Sequence, residues 1–342
     1  MKNVIFIVLD TLRKDRLGIF GNPRNATPFL DEFANHCVNF TNAYANSAWT
    51  PPTHASMLTG LLPIHHLVDG DNINLEKKHH FLFSILKKNN YNTASIVVNP
   101  YLYESTGFMR DFDIRLELGR KRQYKPYSLL LLRAINKITK AYPSLSSKLI
   151  LENTKRVLKT LCSSNKPFGI FLNLTQVHSK YDPPRKFLNS FEKYFVNLDE
   201  DEKHLVAYIC DRGGYEHMAK ESPLPDKVIE GIKLLYDAEL LFLDSMLRDF
   251  FDFIKINKVF SHTTIIIISD HGENLGENGM FYHQFNLSPN LIRIPLLIRD
   301  PDLTPKAVNE NVAQIDILPS LCDALEIENN EVLDGLSFFL MK

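Results

Sequence analysis

Asp10, Thr50, Asp270 and His271 are the residues of this chain whose types and settings best suit chemistry. Two carboxylates and an imidazole are ligands for a divalent cation, and a hydroxyl beside a cation can be made nucleophilic. Thr50 stands in Ser47-Ala48-Trp49-Thr50-Pro51-Pro52-Thr53-His54-Ala55-Ser56-Met57-Leu58-Thr59-Gly60. Thr53 to Leu58 reads as a short helix, and proline suits a helix entry, where its missing N–H costs nothing. Thr50 is thereby placed just before a helix N-terminus, where free N–H groups and the positive dipole end hold an anion or lower the pKa of a hydroxyl. The same stretch also reads as a plain capped helix after a proline turn, and the choice depends on the rest of the chain.

The elements that must position these residues follow from hydropathy. Val4 to Leu9 is a continuous apolar run, the pattern of a strand covered on both faces, and Asp10 stands at its carboxyl end. In open α/β sheets chemistry collects outside the carboxyl ends of strands; the alternative for Asp10 is a turn or cap residue. Thr27-Pro28 reads as a helix start, and a short strand near Val38 to Phe40 leads to the Thr50 stretch. Phe81 to Lys88 reads as a helix, and Thr93 to Val98 as a second buried strand ending on Asn99. Phe168 to Leu174 is a third strand, with His178 four residues beyond it. Asp226 to Lys255 is a long amphipathic helix with Ile229, Ile232, Leu235, Leu240, Leu243, Leu247 and Phe251 at helical spacing. Thr263 to Ser269 is the fourth strand; Asp270, His271, Gly272 and Glu273 follow as a second ligand cluster, with His283 in a short loop beyond. The last helix runs from Ile315 to Leu325.

Other stretches carry less. His65, His66, His79 and His80 lack supporting carboxylates at helical spacing and read as exposed loop residues. From Arg120 to about Cys162 the chain is basic and leucine-rich, with helices suggested around Leu129 to Leu132 and broken at Pro126 and Pro143. Residues 179–225 show no core strand and read as an excursion near the active site, the kind of segment that shapes a substrate pocket.

At 342 residues with 44% hydrophobic and 23% charged residues, the composition is that of a soluble globular protein. A net charge of -1 gives no push toward nucleic acid or anionic membrane, so no nucleic-acid binding is expected. No apolar run approaches the roughly 18 residues of a membrane span, so no membrane insertion is expected. The N-terminal run reads as a buried strand and not as a signal peptide. The four cysteines, Cys37, Cys162, Cys210 and Cys322, are widely spaced and read as reduced thiols; a cytoplasmic location is the expectation.

Taken in order, Val8-Leu9-Asp10-Thr11-Leu12-Arg13, Thr50-Pro51-Pro52-Thr53-His54 with Leu58-Thr59-Gly60, Val177-His178 before Tyr181, Ser269-Asp270-His271-Gly272-Glu273 and Arg293-Ile294-Pro295-Leu296 resemble the sulfatase-like branch of the alkaline phosphatase superfamily. The resemblance covers nearly the whole chain. It implies a single α/β domain over residues 1–342, an alkaline-phosphatase-like sandwich with a central, mostly parallel sheet flanked by helices. Few residues remain beyond Asp316, so the family's C-terminal subdomain is expected to be reduced or absent, leaving a more open site. The resemblance further implies Asp10, Asp270, His271 and Thr50 as ligands of one divalent metal ion (Ca, Mg or Mn, with Zn a further possibility). It implies Thr50 as nucleophile, and His178 and His283 as groups that touch the substrate anion and assist the leaving group. His54 stands where sulfatases usually carry an arginine that supports the nucleophile. Asn99 stands where many carry a substrate-binding lysine, and Thr11 where many carry another ligating aspartate.

Thr50 replaces the Cys or Ser that active sulfatases convert to formylglycine. Oxidation of threonine at Cβ would give a ketone, so no formylglycine is expected. The expected activity is therefore hydrolysis of an anionic phosphate ester or diester in preference to a sulfate ester. A non-catalytic anion-binding homologue and a phosphoryl-group transferase are the rivals. Asp237 and Asp316 are further carboxylates whose expected roles are helix packing and capping. The oligomeric state is not legible in the sequence.

Overall fold

A computed structural model describes residues 1–118, 146–194, 197–220 and 223–339. Most of the basic, leucine-rich section, with Leu129 to Leu132, Pro126 and Pro143, lies outside the described residues.

The central sheet has eight strands: β1 (Asn3–Leu9), β2 (Val38–Tyr44), β3 (Asn92–Val97), β4 (Ile114–Glu117), β5 (Phe168–Leu174), β6 (Thr263–Ile268), β9 (Arg293–Arg299) and β10 (Lys306–Ala313). A separate two-stranded ribbon is formed by β7 (Asn274–Leu275) and β8 (Phe281–Tyr282). The sheet order is β10-β2-β9-β6-β1-β5-β3-β4, and only β9 runs antiparallel to its neighbours. β4 and β10, at the two edges, have no counterpart among the sequence expectations. β10 alternates poorly and is mostly exposed, so it carries little of the hydrophobic signature of a strand.

β1 lies between β5 and β6 and pairs parallel with both, Leu9 opposite Leu174 and Val8 opposite Ile268. The carboxyl ends of these three strands therefore emerge side by side. Because a strand sends alternate side chains to opposite faces, β1 feeds two cores. Ile5, Ile7 and Leu9 join one; Val4, Phe6 and Val8 join the other. The first core is closed by α1 (Pro28–Ala34), α4 (Ser146–Leu161) and α6 (Asp226–Ile256). The second is closed by α2 (Thr50–Thr59), α3 (Leu82–Lys88) and α7 (Ile317–Ala324). This is the expected sandwich, a mostly parallel sheet with helices on both faces.

The helix α2 starts at Thr50 itself, with Trp49 extended before it, so Thr50 is the first helical residue and not the one preceding the helix. The difference is within the usual one- or two-residue latitude of helix ends. All ten residues of α2 are buried. The helix stops where Gly60 takes a left-handed φ of 69°, a conformation glycine adopts without a Cβ penalty.

The long helix α6 is held to the rest by polar as well as apolar contacts. Phe251 meets Phe29 and Phe33 at ring distances of 5.0 and 4.7 Å. Buried Asp237 takes two hydrogen bonds from the Arg16 guanidinium, at 2.9 and 2.6 Å, and one from Arg24 at 2.9 Å. Its role is packing, as expected. Asp316 likewise accepts the Ala313 and Leu336 amides. Ile229 and Leu235, expected on the apolar stripe of α6, are only half-buried. Residues 185–220 include α5 (Glu200–Tyr208) and two shorter helices, Arg185–Asn189 and Gly214–Lys220, with Phe191, Val206 and Ile209 in the first core.

Asp244 of α6 accepts the Phe29 and Leu30 amides at 2.8 Å each, receiving the first turn of α1. Burial outweighs these two bonds and pushes its carboxyl up to about 7. A carboxyl raised above its unfolded value near 3.8 contributes stability that is complete below that pH and is lost as pH rises toward 7. Asp244→Asn mimics the protonated form. Its thermal stability relative to wild type should therefore rise between pH 4 and 7, by about 1.4 kcal/mol per pH unit at most, and level off above. Denaturant titrations of both proteins across that range read the effect.

Candidate metal and ester-binding site

The parallel register of β1, β5 and β6 sets Asp10 beside the turn Ser269-Asp270-His271. Ser269 Oγ donates to the Leu9 carbonyl at 2.9 Å, tying the two strand ends together. Gln314 Nε2 donates to the Ser269 and Asp270 carbonyls at 3.2 and 2.6 Å. Gly272 passes so close to another loop that a Cβ there would lie 1.8 Å from the Asn290 carbonyl oxygen, a gap only glycine fits. On the other side Thr11 is held at a φ of 60°, an unfavourable conformation for a β-branched residue. Its amide donates to Asp270 Oδ1 at 3.0 Å and its carbonyl accepts from Tyr236 of α6 at 2.9 Å. These bonds over-determine the turn and bring the two aspartates together.

One ligand atom each from Asp10, Asp270 and His271 lies within 4.8 Å of the others, and all three residues are buried. Asp10 Oδ2 accepts from Asn99 and Asn173, each at 3.3 Å, while Oδ1 has no partner. Asp270 Oδ1 accepts the Thr11 and His271 amides, while Oδ2 has no hydrogen-bond partner. His271 Nδ1 donates to the Gly272 carbonyl at 2.9 Å, which leaves Nε2 as a bare lone pair 3.2 Å from Asp270 Oδ2. Burial and the neighbouring His283 push His271 down to about 3, so Nε2 itself carries no proton. Three electron-rich, unpaired atoms facing one another are what a cation requires and what a dry core forbids. The residues fit a divalent ion.

The remaining residues singled out from the sequence sit around this cluster. Thr50, Asn99, His178 and His283 line one cleft of about 520 Å³, together with Trp49, Tyr101 and Lys180. The His283 ring lies 4.4 Å from that of His271 and 5.3 Å from that of His178, so it adjoins both cleft and cluster. His283 Nδ1 contacts Glu273 Oε1 at 2.8 Å. Burial works against its charge, but the Glu273 carboxylate prevails and raises its pKa. Glu273 is itself wholly buried; burial works to raise it, and His283 reverses this to hold it ionised. Tyr181 donates to its other oxygen at 3.3 Å. His178 Nδ1 donates to the Ser179 carbonyl at 2.8 Å, leaving Nε2 for the cleft.

His54, one turn after Thr50, does not line the cleft. Its Nδ1 donates to the Thr50 carbonyl at 2.8 Å and lies 3.9 Å from Asp270 Oδ2; its Nε2 faces Asn173 at 3.4 Å. This geometry positions Thr50 through its backbone and does not reach its hydroxyl. His66, expected in an exposed loop, is instead fully buried. Its Nδ1 accepts the Val68 amide at 3.0 Å, so its Nε2 donates to Ser56 Oγ at 3.1 Å, and burial lowers it to about 4. A histidine that donates to the serine cannot act as its base. His65 and His80 pair with Asp334 and Glu331.

Sequence reasoning missed two parts of this arrangement. Asn173 is a polar residue inside a wholly buried strand, and that contradiction was the available signal. Glu273 stands two residues after His271, but only the fold reveals that it meets His283. The unpaired charges also make a prediction. Asp10→Asn should raise the melting temperature of the chelator-treated protein by several degrees, because it removes an unpaired buried charge. It should also abolish the further rise that added Mn²⁺ gives the wild type. Calorimetry with and without the ion measures both.

The family model described as Sulfatase matches residues 2–327. An ulvan-active sulfatase of Formosa agariphila is 26% identical over 98% of this chain, which spans 63% of that protein's length. Among solved structures, the phosphonate monoester hydrolase of Agrobacterium radiobacter superposes with a TM-score of 0.79 at 20% identity, covering 99% of this chain and 76% of the other. That of Silicibacter pomeroyi gives 0.76 at 16% identity, covering 99% and 76%. The structural likeness establishes the fold, and the family match over nearly the whole chain establishes descent: the chain belongs to the sulfatase family.

Proposed function

We propose that this protein is a metal-dependent ester hydrolase that uses Thr50 directly as nucleophile and prefers phosphate esters or diesters to sulfate esters. The observation that carries the reading is the shared cleft of Thr50, Asn99, His178 and His283, backed by the unpaired Asp10, Asp270 and His271 atoms. Asp10, Asp270, His271 and Thr50 would hold one divalent ion, and their mainly hard ligand set favours Mg²⁺, Ca²⁺ or Mn²⁺. When bound, such an ion supplies Lewis-acid stabilisation of the ester anion and eases loss of the hydroxyl proton.

The residues then divide the work. Asn99 donates to an ester oxygen. Thr50 Oγ, its proton passed to solvent, attacks phosphorus in line, forming a phospho-threonine as the bond to the departing oxygen breaks. His283, kept protonated by Glu273, or His178 gives a proton to that oxygen. The imidazole so deprotonated takes a proton from water, whose oxygen attacks phosphorus; the Thr50 oxygen leaves and regains a proton from solvent, and inorganic phosphate, or the phosphomonoester in the case of a diester, is released. Sulfate is disfavoured for a chemical reason. A formylglycine hydrate can expel sulfate by C–O cleavage, whereas sulfo-threonine must wait for water to attack sulfur. The sulfatase and phosphonate monoester hydrolase relatives support an ester of either anion as the broader class. Among the described residues no helix is long and apolar enough to cross a membrane. The four cysteines are free thiols, which supports the cytoplasmic reading.

The test is hydrolysis of 4-nitrophenyl phosphate, bis(4-nitrophenyl) phosphate, a phosphonate monoester and 4-nitrophenyl sulfate with Mn²⁺, Mg²⁺, Ca²⁺ or Zn²⁺. Thr50→Ala should lower kcat/KM by about a hundredfold or more, with an unchanged melting curve. Thr50→Ser should stay within about tenfold of wild type, since the attacking oxygen remains. Thr50→Cys, matured by a formylglycine-generating enzyme, should gain sulfatase activity. Efficient sulfate hydrolysis by the parent without phosphoesterase activity would overturn the preference. A fully active Thr50→Ala would remove Thr50 as nucleophile, and anion binding without turnover of any ester would leave a binding homologue.

A further inference from the structure

The segment that follows β5 carries His178 into the cleft and then runs along the wall of a second cavity. Lys180 lines both spaces. The second cavity measures about 600 Å³, within the range of small-molecule sites. Its walls are apolar: Leu188, Leu198 and Leu235, all half-buried, with Val206, Ala207 and Leu234. Its charged groups Lys180, Asp182, Lys203 and Asp211 are all exposed and so belong to the rim. Lys180 pairs with Asp211 at 2.5 Å, which keeps its charge off the apolar wall.

We infer that this cavity receives the apolar part of the substrate's leaving group, making the substrate an amphiphilic ester with its anionic head at Thr50 and an alkyl or aryl-alkyl chain beyond Lys180. The inference rests on the ester-hydrolase reading for the head and on the cavity alone for the tail. Its direction follows from the chemistry. The departing oxygen must face the imidazole that protonates it, and His178 is two residues from Lys180, so the leaving group exits toward the junction. The cavity wall also reaches the acid: Tyr181 lines the cavity and donates to Glu273, the carboxylate that holds His283. Half-buried leucines around an open space of this size gain by covering with a chain, at about threefold to fourfold in affinity per buried methylene.

The probe is a series of n-alkylphosphonates from methyl to octyl, which carry the head but cannot be hydrolysed, titrated calorimetrically into the Mn²⁺-loaded protein. The expected result is a dissociation constant that falls about threefold to fourfold per methylene over the middle of the series. Ala207→Trp, at an exposed position that lines the cavity, should fill the space and flatten that slope while leaving methylphosphonate binding and the melting curve unchanged. Leu235→Glu should do the same by placing a charge on the wall. Affinity independent of chain length, no binding at any length, or a slope that survives both substitutions overturns the inference. The two readings fail separately. Chain-length dependence without turnover of any ester sinks the hydrolase and keeps the cavity, while ester turnover with a flat series sinks the cavity alone.

Discussion

The rest of the site depends on a buried repulsion. Asp10, Asp270 and His271 converge, and Asp10 Oδ1, Asp270 Oδ2 and His271 Nε2 have no hydrogen-bond donor between them among the described residues. An arrangement of this kind is costly in a dry interior, and a chain that only had to fold would replace it with apolar groups. The structure around it works to hold the repulsion in place. The Thr11 turn accepts an unfavourable backbone angle, Gly272 admits a carbonyl where no side chain fits, and Ser269 and Gln314 clamp the backbone. Tyr236 extends the clamp to α6, so the longest of the described helices is braced against the turn at Thr11 to Arg13. Rigidity of that degree is wanted where ligand atoms must stay converged whether or not they are filled.

Much of the fold was legible because the chain's strongest signals are periodic. β1, β3, β5 and β6 are short apolar runs, and α6 repeats its buried residues at helical spacing. The edge strands were not legible. β4 has four residues and β10 faces solvent on most of its length, so neither carries enough apolar pattern to distinguish it from a loop. The site divides in the same way. Asp10, Asp270 and His271 stand at strand ends, where a parallel sheet collects its functional groups, and sequence position alone suggested them. His66 was misjudged because a pair of histidines in a polar stretch looks solvated, whereas a four-residue helix turns one of them onto α2. Asn173 was overlooked because a buried strand was read only for its apolar residues, although its one amide is the bond that links Asp10 to His54.

Charge around the cleft is distributed unevenly, and the imbalance bears on which anion suits it. His54 is buried beneath Thr50 and its Nδ1 donates to a backbone carbonyl, so it orders the start of α2 and presents no donor to the cleft. Asn99 donates through a neutral amide and already shares it with Asp10. The cationic character of the cleft therefore falls on His283, whose charge is sustained by Glu273, and on Lys180, whose charge is shared with Asp211. On the ester-hydrolase reading, a cleft with few fixed cations would rely on an ion for its hold on the anion. That is consistent with the degree to which the Asp10, Asp270 and His271 cluster has been kept free of competing donors.

The loop after β5 ties these features together. Within six residues, Val177 to Asp182, it seals the core with Val177, places His178 against His283, lines the junction with Lys180 and sends Tyr181 to Glu273. Asp182 then anchors it by donating its amide to Glu239 of α6 at 2.8 Å. A displacement of this loop would move an imidazole, a cavity wall and a support of the Glu273 carboxylate at once. The wall of the cavity and the setting of the cleft histidines are therefore not independent in this fold, because one short segment, joined to β5 at one end and to α6 at the other, forms part of each.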